Sequence, residues 1–239
     1  MCGRFTLRTN ASVLSRLFQV VIQRFTPRFN LAPSQQVKAI VSDKCGIFKE
    51  TELRWGLIPD WSRNERSKPP LLINARSESV SEKPSFRDAL RHRPCLVLAD
   101  GFYEWQKRDL KDSKLPHFIH LADHRPFAFA GLWEPVRFQD GIFDACTILT
   151  TEANADMRPI HDRMPVILPE CYQQPWLDGN RDDPEFLKEI FQSCHDLKFQ
   201  SYPVGGLVNN PQNDRAECLD PASDTDLTPG TSVQKVLFE

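Results

Sequence analysis

Residues 95–105 read CLVLADGFYEW, and this stretch carries the strongest indication of the fold. Its first five residues are all apolar, a pattern that predicts a short buried strand. The chain then passes through Asp100 and Gly101 into a segment in which Glu104 stands between Tyr103 and Trp105. We therefore expect a sheet protein whose core includes residues 95–99.

Segments on both sides of this stretch alternate between strand and helix patterns. Strands are predicted for residues 37–41, 47–57, 117–121, 127–132, 143–150, 164–168 and 199–204, and helices for residues 11–24, 84–91, 169–178 and 184–194. Residues 60–70 are polar and contain two adjacent prolines, so they predict a loop. This order predicts one α+β domain, residues 1–220, built on mainly antiparallel sheets. Residues 221–239 are rich in Asp, Pro, Ser, Thr and Gly, which predicts a disordered tail.

The composition is that of a globular protein. The chain has 239 residues, of which 40% are hydrophobic and 26% charged. No apolar run approaches the ~20 residues that cross a bilayer, and the N-terminus lacks a signal-peptide pattern. We therefore expect no membrane association and a location in the cytosol, at a bacterial nucleoid, or in the nucleus. The 7 cysteines include no CxxC pair, which argues against a zinc ribbon and a disulfide framework.

The charge is unevenly distributed along the chain. Residues 1–93 carry 17 Lys and Arg against 8 Asp and Glu, although the net charge of the whole chain is only −2. A basic half can bind an anionic partner such as nucleic acid. It can equally be neutralised by the acidic half in the folded protein, and charge alone leaves both interpretations open.

The first four residues, Met1-Cys2-Gly3-Arg4, suggest a reaction. If Met1 is removed, the α-amine and the thiol of Cys2 sit on adjacent carbons. An α-amine condenses with an aldehyde to a Schiff base, and the tethered thiol can add to that imine and close a thiazolidine ring without a second encounter. The alternative is that Cys2 merely follows the initiator methionine.

Two further side chains are candidates for acid–base chemistry. Glu104, flanked by aromatic residues, would lose solvation, which raises the pKa of a carboxyl group; the alternative is a surface glutamate on a strand. His161 lies between Ile160 and Asp162, where a neighbouring acid can orient its ring; the alternative is a hydrogen-bonded loop histidine.

Histidine and tryptophan residues suggest two kinds of binding. His117, His120 and His124 resemble a metal set, but strand geometry would turn His117 and His120 to opposite faces, so we expect no metal. Trp61 and Trp105 lie near the basic half, where exposed aromatic rings can stack on the bases of single strands. Core packing is the alternative for the tryptophans, and we expect it for Trp55.

Seven stretches together resemble one known family. They are residues 1–4 (MCGR), 29–33 (FNLAP), 54–61 (RWGLIPDW), 74–78 (NARSE), 99–105 (ADGFYEW), 160–165 (IHDRMP) and 208–210 (VNN). In this order they are similar to the SRAP family, the SOS response-associated peptidase domain, over residues 1 to about 220. The resemblance implies a single α+β domain with curved, mainly antiparallel sheets and flanking helices.

The resemblance also implies an activity, the covalent capture of abasic sites in single-stranded DNA. Cys2 would form a thiazolidine crosslink with the aldehyde of the ring-opened sugar and so shield the lesion during repair. Asn74 would contact the abasic sugar, and Glu104 would orient or deprotonate the Cys2 amine. His161 would act as general acid in sugar ring opening and in crosslink reversal.

The family further implies a DNA path and no cofactor. Arg4 and Arg76 would bind flanking phosphates, Pro33 and Trp61 would separate the bases, and Thr150 and Arg163 would line the path. No metal or organic cofactor is implied. We expect a monomer, and the resemblance leaves partners at replication forks open.

Two other functions compete with this one. A mature N-terminal Cys2 could attack an amide, as in glutamine amidotransferases, or act with His161 as a cysteine peptidase that removes Met1. A non-covalent reader of single strands or modified bases would need the basic half and the tryptophans but not Cys2. Release of ammonia, peptide cleavage, or binding that does not depend on Cys2 would separate these possibilities.

Overall fold

The computed structural model describes residues 2–43, 45–59, 62, 69–108, 114–138 and 141–224. The strands in these ranges are β1 (Arg4–Leu7), β2 (Arg28–Leu31), β3 (Gln36–Ser42), β4 (Phe48–Trp55), β5 (Asn74–Arg76), β6 (Pro94–Ala99), β7 (Gly101–Lys107), β8 (Lys114–Leu121), β9 (Phe127–Phe138), β10 (Gly141–Glu152), β11 (Arg163–Pro165), β12 (Ile167–Leu168) and β13 (Phe199–Pro203). The α-helices are α1 (Ala11–Phe18), α2 (Arg87–His92), α3 (Glu170–Asp178) and α4 (Pro184–Gln192).

Two sheets share one core. The first is antiparallel, with strand order β13-β8-β7-β1-β2. In the second, β10, β4, β3, β6 and β9 pair in that order, and β9 pairs back onto β10, so these strands close into a small barrel. Phe5 of β1 packs edge-on against Trp55 and Phe129 of the barrel, with ring centroids 5.0 and 5.5 Å apart, which joins the two sheets.

The apolar stretch that begins at Cys95 lies inside the barrel wall, as expected. All residues of β6 are buried, because β6 lies between β3 and β9 and is covered on both faces. The chain then turns at Asp100 into β7 of the other sheet. This crossing from one sheet to the other brings Glu104 next to the first residues of the chain, because β7 pairs with β1.

Asp100 stabilises the crossing through a dense set of hydrogen bonds. Its buried carboxylate accepts bonds from the backbone N–H groups of Arg8 (2.5 Å) and Thr9 (2.8 Å) and from the hydroxyls of Thr6 (2.6 Å) and Thr9 (2.9 Å). Gly101 follows, and a Cβ there would lie 2.1 Å from Cζ of Phe118. The crossing therefore requires both residues.

We expect Asp100→Ala to destabilise the protein by about 3 kcal/mol, because it leaves several buried donors without an acceptor. The midpoint of urea unfolding measures this loss. Asp123→Ala removes a carboxylate that is about half exposed and bonds only within its own turn, so its cost should be within about 0.5 kcal/mol. Equal midpoints for the two variants would contradict this role of Asp100.

The helix predicted for residues 11–24 is too long. The helix α1 ends at Phe18, because Gln19 adopts a left-handed conformation with φ of 54°. Beyond it, Val20 and Ile22 are buried while Val21 is 76% exposed, the alternation of an extended chain. The hydroxyl of Ser15 accepts a bond from the Ile22 N–H and fixes this exit.

The strand predicted for residues 164–168 is divided in two. The strand β11 pairs with β10, whereas β12 pairs with β9. Between them, the Val166 N–H bonds to Leu149 and its carbonyl oxygen to Ala130, so the chain passes from one strand to the other. Other predicted strands and helices are present within a few residues of their predicted ends, except that β9 runs on to Phe138.

Two predictions fall partly on residues that the structure does not describe. The predicted loop at residues 60–70 is described only at 62, 69 and 70. Of the predicted tail, Pro221 forms a bridge with Val204, and residues 225–239 lie outside the described residues. Disorder of the tail therefore stays a prediction. Within the described ranges, no helix combines the length and apolar character needed to cross a membrane.

Candidate active site

Cys2 is enclosed by the folded chain, and its side chain is fully buried. Its thiol lies 3.9 Å from the carbonyl oxygen of Arg4 and donates a weak hydrogen bond to it. Burial and, second, the nearby Glu104 carboxylate raise the pKa of the Cys2 thiol well above its ordinary value. The neutral thiol is therefore the form that prevails at neutral pH.

Glu104 lies beside Cys2 because of the pairing between β1 and β7. Arg4 stands opposite Tyr103 and Phe5 opposite Phe102. Continued by one step beyond the strand, this register would place Gly3 opposite Glu104. The side chain of Glu104 is only 2% exposed, so the alternative of a surface glutamate is wrong. A buried carboxylate next to the first residues of the chain is well placed to accept a proton there.

Asn74 holds the backbone of Cys2 from the other side. Its Nδ2 donates a 2.9 Å hydrogen bond to the Cys2 carbonyl oxygen. The strand β5 places it there by parallel pairing with β10, where Asn74 stands opposite Ile148. Its Oδ1 is buried and has no hydrogen-bond partner among the residues that the structure describes. That oxygen is an unpaired acceptor close to Cys2, because the Nδ2 of the same amide bonds to the Cys2 carbonyl oxygen.

Arg4 and Pro33 line an open groove of about 570 Å³ next to these residues. The groove also contacts Arg28, Ala32, Ser34, Gln35, Pro211, Gln212 and Asp214. Nη1 of Arg4 donates to the carbonyl oxygen of Gly3 at 2.9 Å, and its Nε is enclosed without a partner in the described part of the chain. Burial lowers the pKa of Arg4. An anion in the groove would give this partly desolvated guanidinium a partner.

Asn30 holds the far wall of this groove in place. Its Nδ2 lies within hydrogen-bond distance of the carbonyl oxygens of Val208 (3.2 Å), Asn210 (3.1 Å) and Asn213 (2.8 Å). The FNLAP and VNN stretches are therefore neighbours in space, and both shape the groove.

Arg163 and Thr150 differ from their expected role of lining a DNA path. Arg163 forms a two-pronged ion pair with Glu78, at 2.6 and 2.9 Å, and also donates to the Thr150 carbonyl oxygen at 2.7 Å. Thr150 is fully buried, with its hydroxyl 3.4 Å from Arg163. In this structure Thr150 positions Arg163 and does not face solvent. Arg76, opposite Thr150 in the ladder, is exposed and accessible to phosphate.

The side chain of His161 is one quarter exposed and contacts the backbone of Arg163. Its Nδ1 accepts the backbone N–H of Arg163 at 2.9 Å and lies 2.8 Å from the Asp162 carboxylate. The first contact suits a neutral ring and the second a protonated one, so Nδ1 has a partner in either state. Such a ring can exchange a proton without losing its orientation.

The tryptophans separate into different environments. Trp55 is fully buried, so the expected core packing is confirmed. Trp105 is half-buried, packs against the small cluster that contains Tyr103, and donates from Nε1 to Asn209 at 2.8 Å. Trp61 lies outside the described residues, and stacking by Trp61 and Trp105 stays a prediction.

The three histidines that the sequence suggested as a metal set do not gather around one point. The rings of His120 and His124 stack with centroids 4.4 Å apart, while His117 contacts Gln106. In the described ranges, no group of three His, Cys, Asp or Glu residues is arranged to hold a metal ion.

Two acidic residues that hold parts of this region in place were not identified from the sequence. Glu78 binds Arg163, and Asp214 accepts bonds from the N–H groups of Phe29 (2.6 Å) and Asn30 (2.9 Å) beside the groove. Each partner is separated from its acid by 85 residues or more. No local pattern carries such pairs, although Glu78 does fall within the NARSE stretch.

Comparisons with known proteins match the chain to one family. A family model described as SOS response associated peptidase (SRAP) matches residues 1–211. Similar sequences include abasic site processing protein YoaM of Bacillus subtilis, 40% identical over 92% of this chain and 98% of that protein. Mouse abasic site processing protein HMCES is 29% identical over 93% of this chain and 76% of its own length.

Solved structures share the fold. The X-ray structure of a Bacteroides thetaiotaomicron protein matches with a TM-score of 0.76 at 20% identity, over 93% of this chain and 100% of that one. A Bordetella bronchiseptica protein matches with a TM-score of 0.69 at 24% identity, over 85% and 100% of the two chains. The expected α+β architecture with curved sheets is confirmed.

Proposed function

The chain belongs to the SOS response-associated peptidase family, and from this premise we propose that it is an abasic-site processing protein that captures the lesion covalently in single-stranded DNA. The aldehyde of the ring-opened sugar would react with the α-amine and thiol of Cys2 after removal of Met1. The observation that carries this proposal is the enclosure of Cys2 between two polar side chains, Asn74 on its carbonyl oxygen and the buried Glu104.

The raised pKa of the Cys2 thiol supports a definite order of steps. The amine attacks the aldehyde first, because the thiol is neutral and a poor nucleophile at neutral pH. Glu104 passes one proton from the nitrogen to the oxygen as the carbinolamine forms and a second as its hydroxyl leaves as water, which gives the Schiff base and leaves Glu104 ionised again. The thiol then adds to the imine carbon and its proton passes to nitrogen, which closes the thiazolidine. One water leaves in total.

The other residues bind and open the sugar in this proposal. Asn74 Oδ1, which lacks a partner among the described residues, accepts a hydrogen bond from a hydroxyl of the abasic sugar. His161 donates a proton to the ring oxygen as the sugar opens and assists the reverse reaction. Arg4 and Arg76 bind flanking phosphates. Arg163 is paired with Glu78 and bonded to Thr150, so the proposal gives it no phosphate of its own.

The groove beside Arg4 supplies the path for the strand. Pro33 forms part of its wall, and the proposal keeps Pro33, Trp61 and Trp105 as the residues that separate or stack the neighbouring bases. Since the chemistry uses only Cys2 and side-chain acids and bases, it requires no metal or organic cofactor.

A denaturing gel combined with intact-mass analysis tests the proposal. The purified protein is mixed with a single-stranded oligonucleotide that carries one abasic site. We expect a band that survives denaturation, with the mass of the protein without Met1 plus the oligonucleotide, less one water. No such band from protein that has lost Met1 would rule out covalent capture.

The two competing functions give different results in the same preparation. An amide hydrolase or peptidase would release ammonia from glutamine or cleave a peptide, and it would need an activated thiolate, whereas burial makes the Cys2 thiol less acidic. A non-covalent reader would bind the oligonucleotide but release it in denaturant.

The salt dependence of binding tests the role of Arg76. With an oligonucleotide whose abasic analogue lacks the aldehyde, binding is reversible. We expect Arg76→Ala to reduce the slope of log affinity against log salt concentration by about 0.7, the value for one phosphate contact on a single strand. Arg16→Ala, at an exposed position on α1, is the matched control and should leave the slope unchanged. An unchanged slope for Arg76→Ala would remove it from the phosphate contacts.

A further inference from the structure

His117 is the cross-strand neighbour of Glu104. In the antiparallel pair of β7 and β8, Glu104 stands directly opposite His117, and Phe102 stands opposite Ile119. Residues directly opposite each other share one face of a sheet, with Cβ atoms about 5 Å apart. Phe102 and Ile119 both belong to the main core, so Glu104 and His117 continue that same inner face.

A chain of hydrogen bonds determines the tautomer of His117. Nε2 of Gln106 donates to the carbonyl oxygen of Pro159 at 2.9 Å, which fixes the orientation of the Gln106 amide. Its Oε1 then faces Nε2 of His117 at 3.2 Å and can only accept a proton from it. In the neutral ring Nε2 therefore carries the hydrogen, and Nδ1 carries a lone pair.

That lone pair is enclosed and has no partner among the described residues. Nδ1 of His117 is buried and makes no hydrogen bond in the described part of the chain. Burial and, second, the positive charge of Arg108 lower the pKa of His117, so the ring stays neutral at neutral pH. A buried acceptor beside a buried carboxylate is suited to receive a proton that the carboxylate picks up.

We propose that His117 is a positioning residue for Glu104, whose Nδ1 accepts a hydrogen bond from the Glu104 carboxyl group once that group has taken a proton from the Cys2 amine. This inference rests on the proposed function. The ionised carboxylate has no hydrogen to donate, so the bond forms only after the proton transfer and stabilises its product. Gln106 and Pro159 also connect this pair to the segment that carries His161.

In the described part of the chain, few charges surround His117. Its neighbour on β7 is Glu104, and Arg108 follows at the end of the same strand. On its other side β13 presents Pro203, which carries no charge. Protonation of Nδ1 at low pH would remove the acceptor, so the contribution of His117 to the rate should be lost as the pH falls through its lowered pKa.

Two variants test the proposal, and each of them keeps a polar group near only one of the two ring nitrogens. His117→Asn keeps an oxygen acceptor near the position of Nδ1 and loses the bond to Gln106. His117→Gln keeps a polar group near Nε2 and loses the acceptor. We expect H117N to form the crosslink at nearly the wild-type rate and H117Q to form it about tenfold more slowly, the effect of one hydrogen bond to a group that changes charge.

The pH profile gives a readout that a purely structural role would not change. The ratio of the wild-type rate to the H117N rate should be constant at neutral pH and fall at acidic pH, because only the wild type has a ring to protonate. This ratio cancels the titration of the Cys2 amine. Urea unfolding of both variants confirms that the chain is folded.

The remaining outcomes contradict either the proposed function or only the role of His117. If the wild type forms no crosslink, the proposed function fails and takes this inference with it. If the wild type forms it and H117Q matches the wild type, or H117N is slowed as much as H117Q, or the ratio does not depend on pH, the inference alone is overturned. In those cases His117 acts only through its bond to Gln106 or through its shape.

Discussion

Replacing Cys2 should abolish the stable crosslink completely. Cys2→Ser keeps the α-amine after Met1 is removed, so the imine with the abasic aldehyde still forms. A hydroxyl is a much weaker nucleophile than a thiol, and the imine reverts in denaturant. We expect no band with Cys2→Ser on a denaturing gel, and a band only when borohydride reduces the imine before denaturation.

Serine is the appropriate change because Cys2 is fully buried and tightly packed. Cys2→Ala should give the same result, since it also keeps the amine and lacks the thiol. Cys45→Ser and Cys171→Ser are the matched controls, because these two thiols are free and exposed. They should crosslink as the wild type does. A stable band with Cys2→Ser, or its loss with either control, would identify a different nucleophile.

Replacing Glu104 should slow crosslink formation by about 100-fold, the lower end of what a positioned acid–base group contributes. Glu104→Gln has the same shape and remains compatible with burial, but it cannot take the proton from the Cys2 amine. The rate of band formation under single-turnover conditions measures the effect. Glu170→Gln, at an exposed position on α3, is the control and should be neutral.

The same variant should make the Cys2 thiol more reactive, although it slows crosslinking. The negative charge of Glu104 contributes to the raised pKa of the thiol, so its removal lowers that pKa and increases the thiolate fraction at a given pH. Alkylation of Cys2 should therefore become faster in Glu104→Gln while crosslinking becomes slower. Because unfolding would also expose the thiol, the urea midpoint must be unchanged. A normal crosslinking rate would exclude Glu104 as the base.

Both predictions depend on positions that sequence and structure reveal to different degrees. The pair of nucleophiles on Cys2 follows from covalent structure alone, because any N-terminal cysteine has both. Glu104 was a candidate in the sequence because aromatic residues flank it and because it falls within one of the seven family stretches. Its 2% exposure and its place beside Cys2 result from the pairing of β1 with β7, strands separated by more than 90 residues.

The strands and helices also differ in how well the sequence predicted them. Strands such as β3, β6 and β10 were predictable, since each is long or apolar enough to carry its own pattern. The strands β1, β2 and β5 have only three or four residues and were not predicted. Their hydrogen bonds come entirely from distant partners, so nothing local distinguishes them from loops. The helix α1 was predicted too long because buried residues beyond Gln19 imitate its period.

The sequence by itself therefore determined the α+β class, the seven family stretches and the reactive pair on Cys2, all of which reside in local composition and covalent chemistry. Only the tertiary structure decided that Asn74 binds the Cys2 carbonyl oxygen, that Thr150 is buried behind Arg163, and that His117 faces Glu104. These contacts join residues on different segments of the chain, 13 to 72 positions apart. They depend on strand register, and register is set by the packing of the whole core.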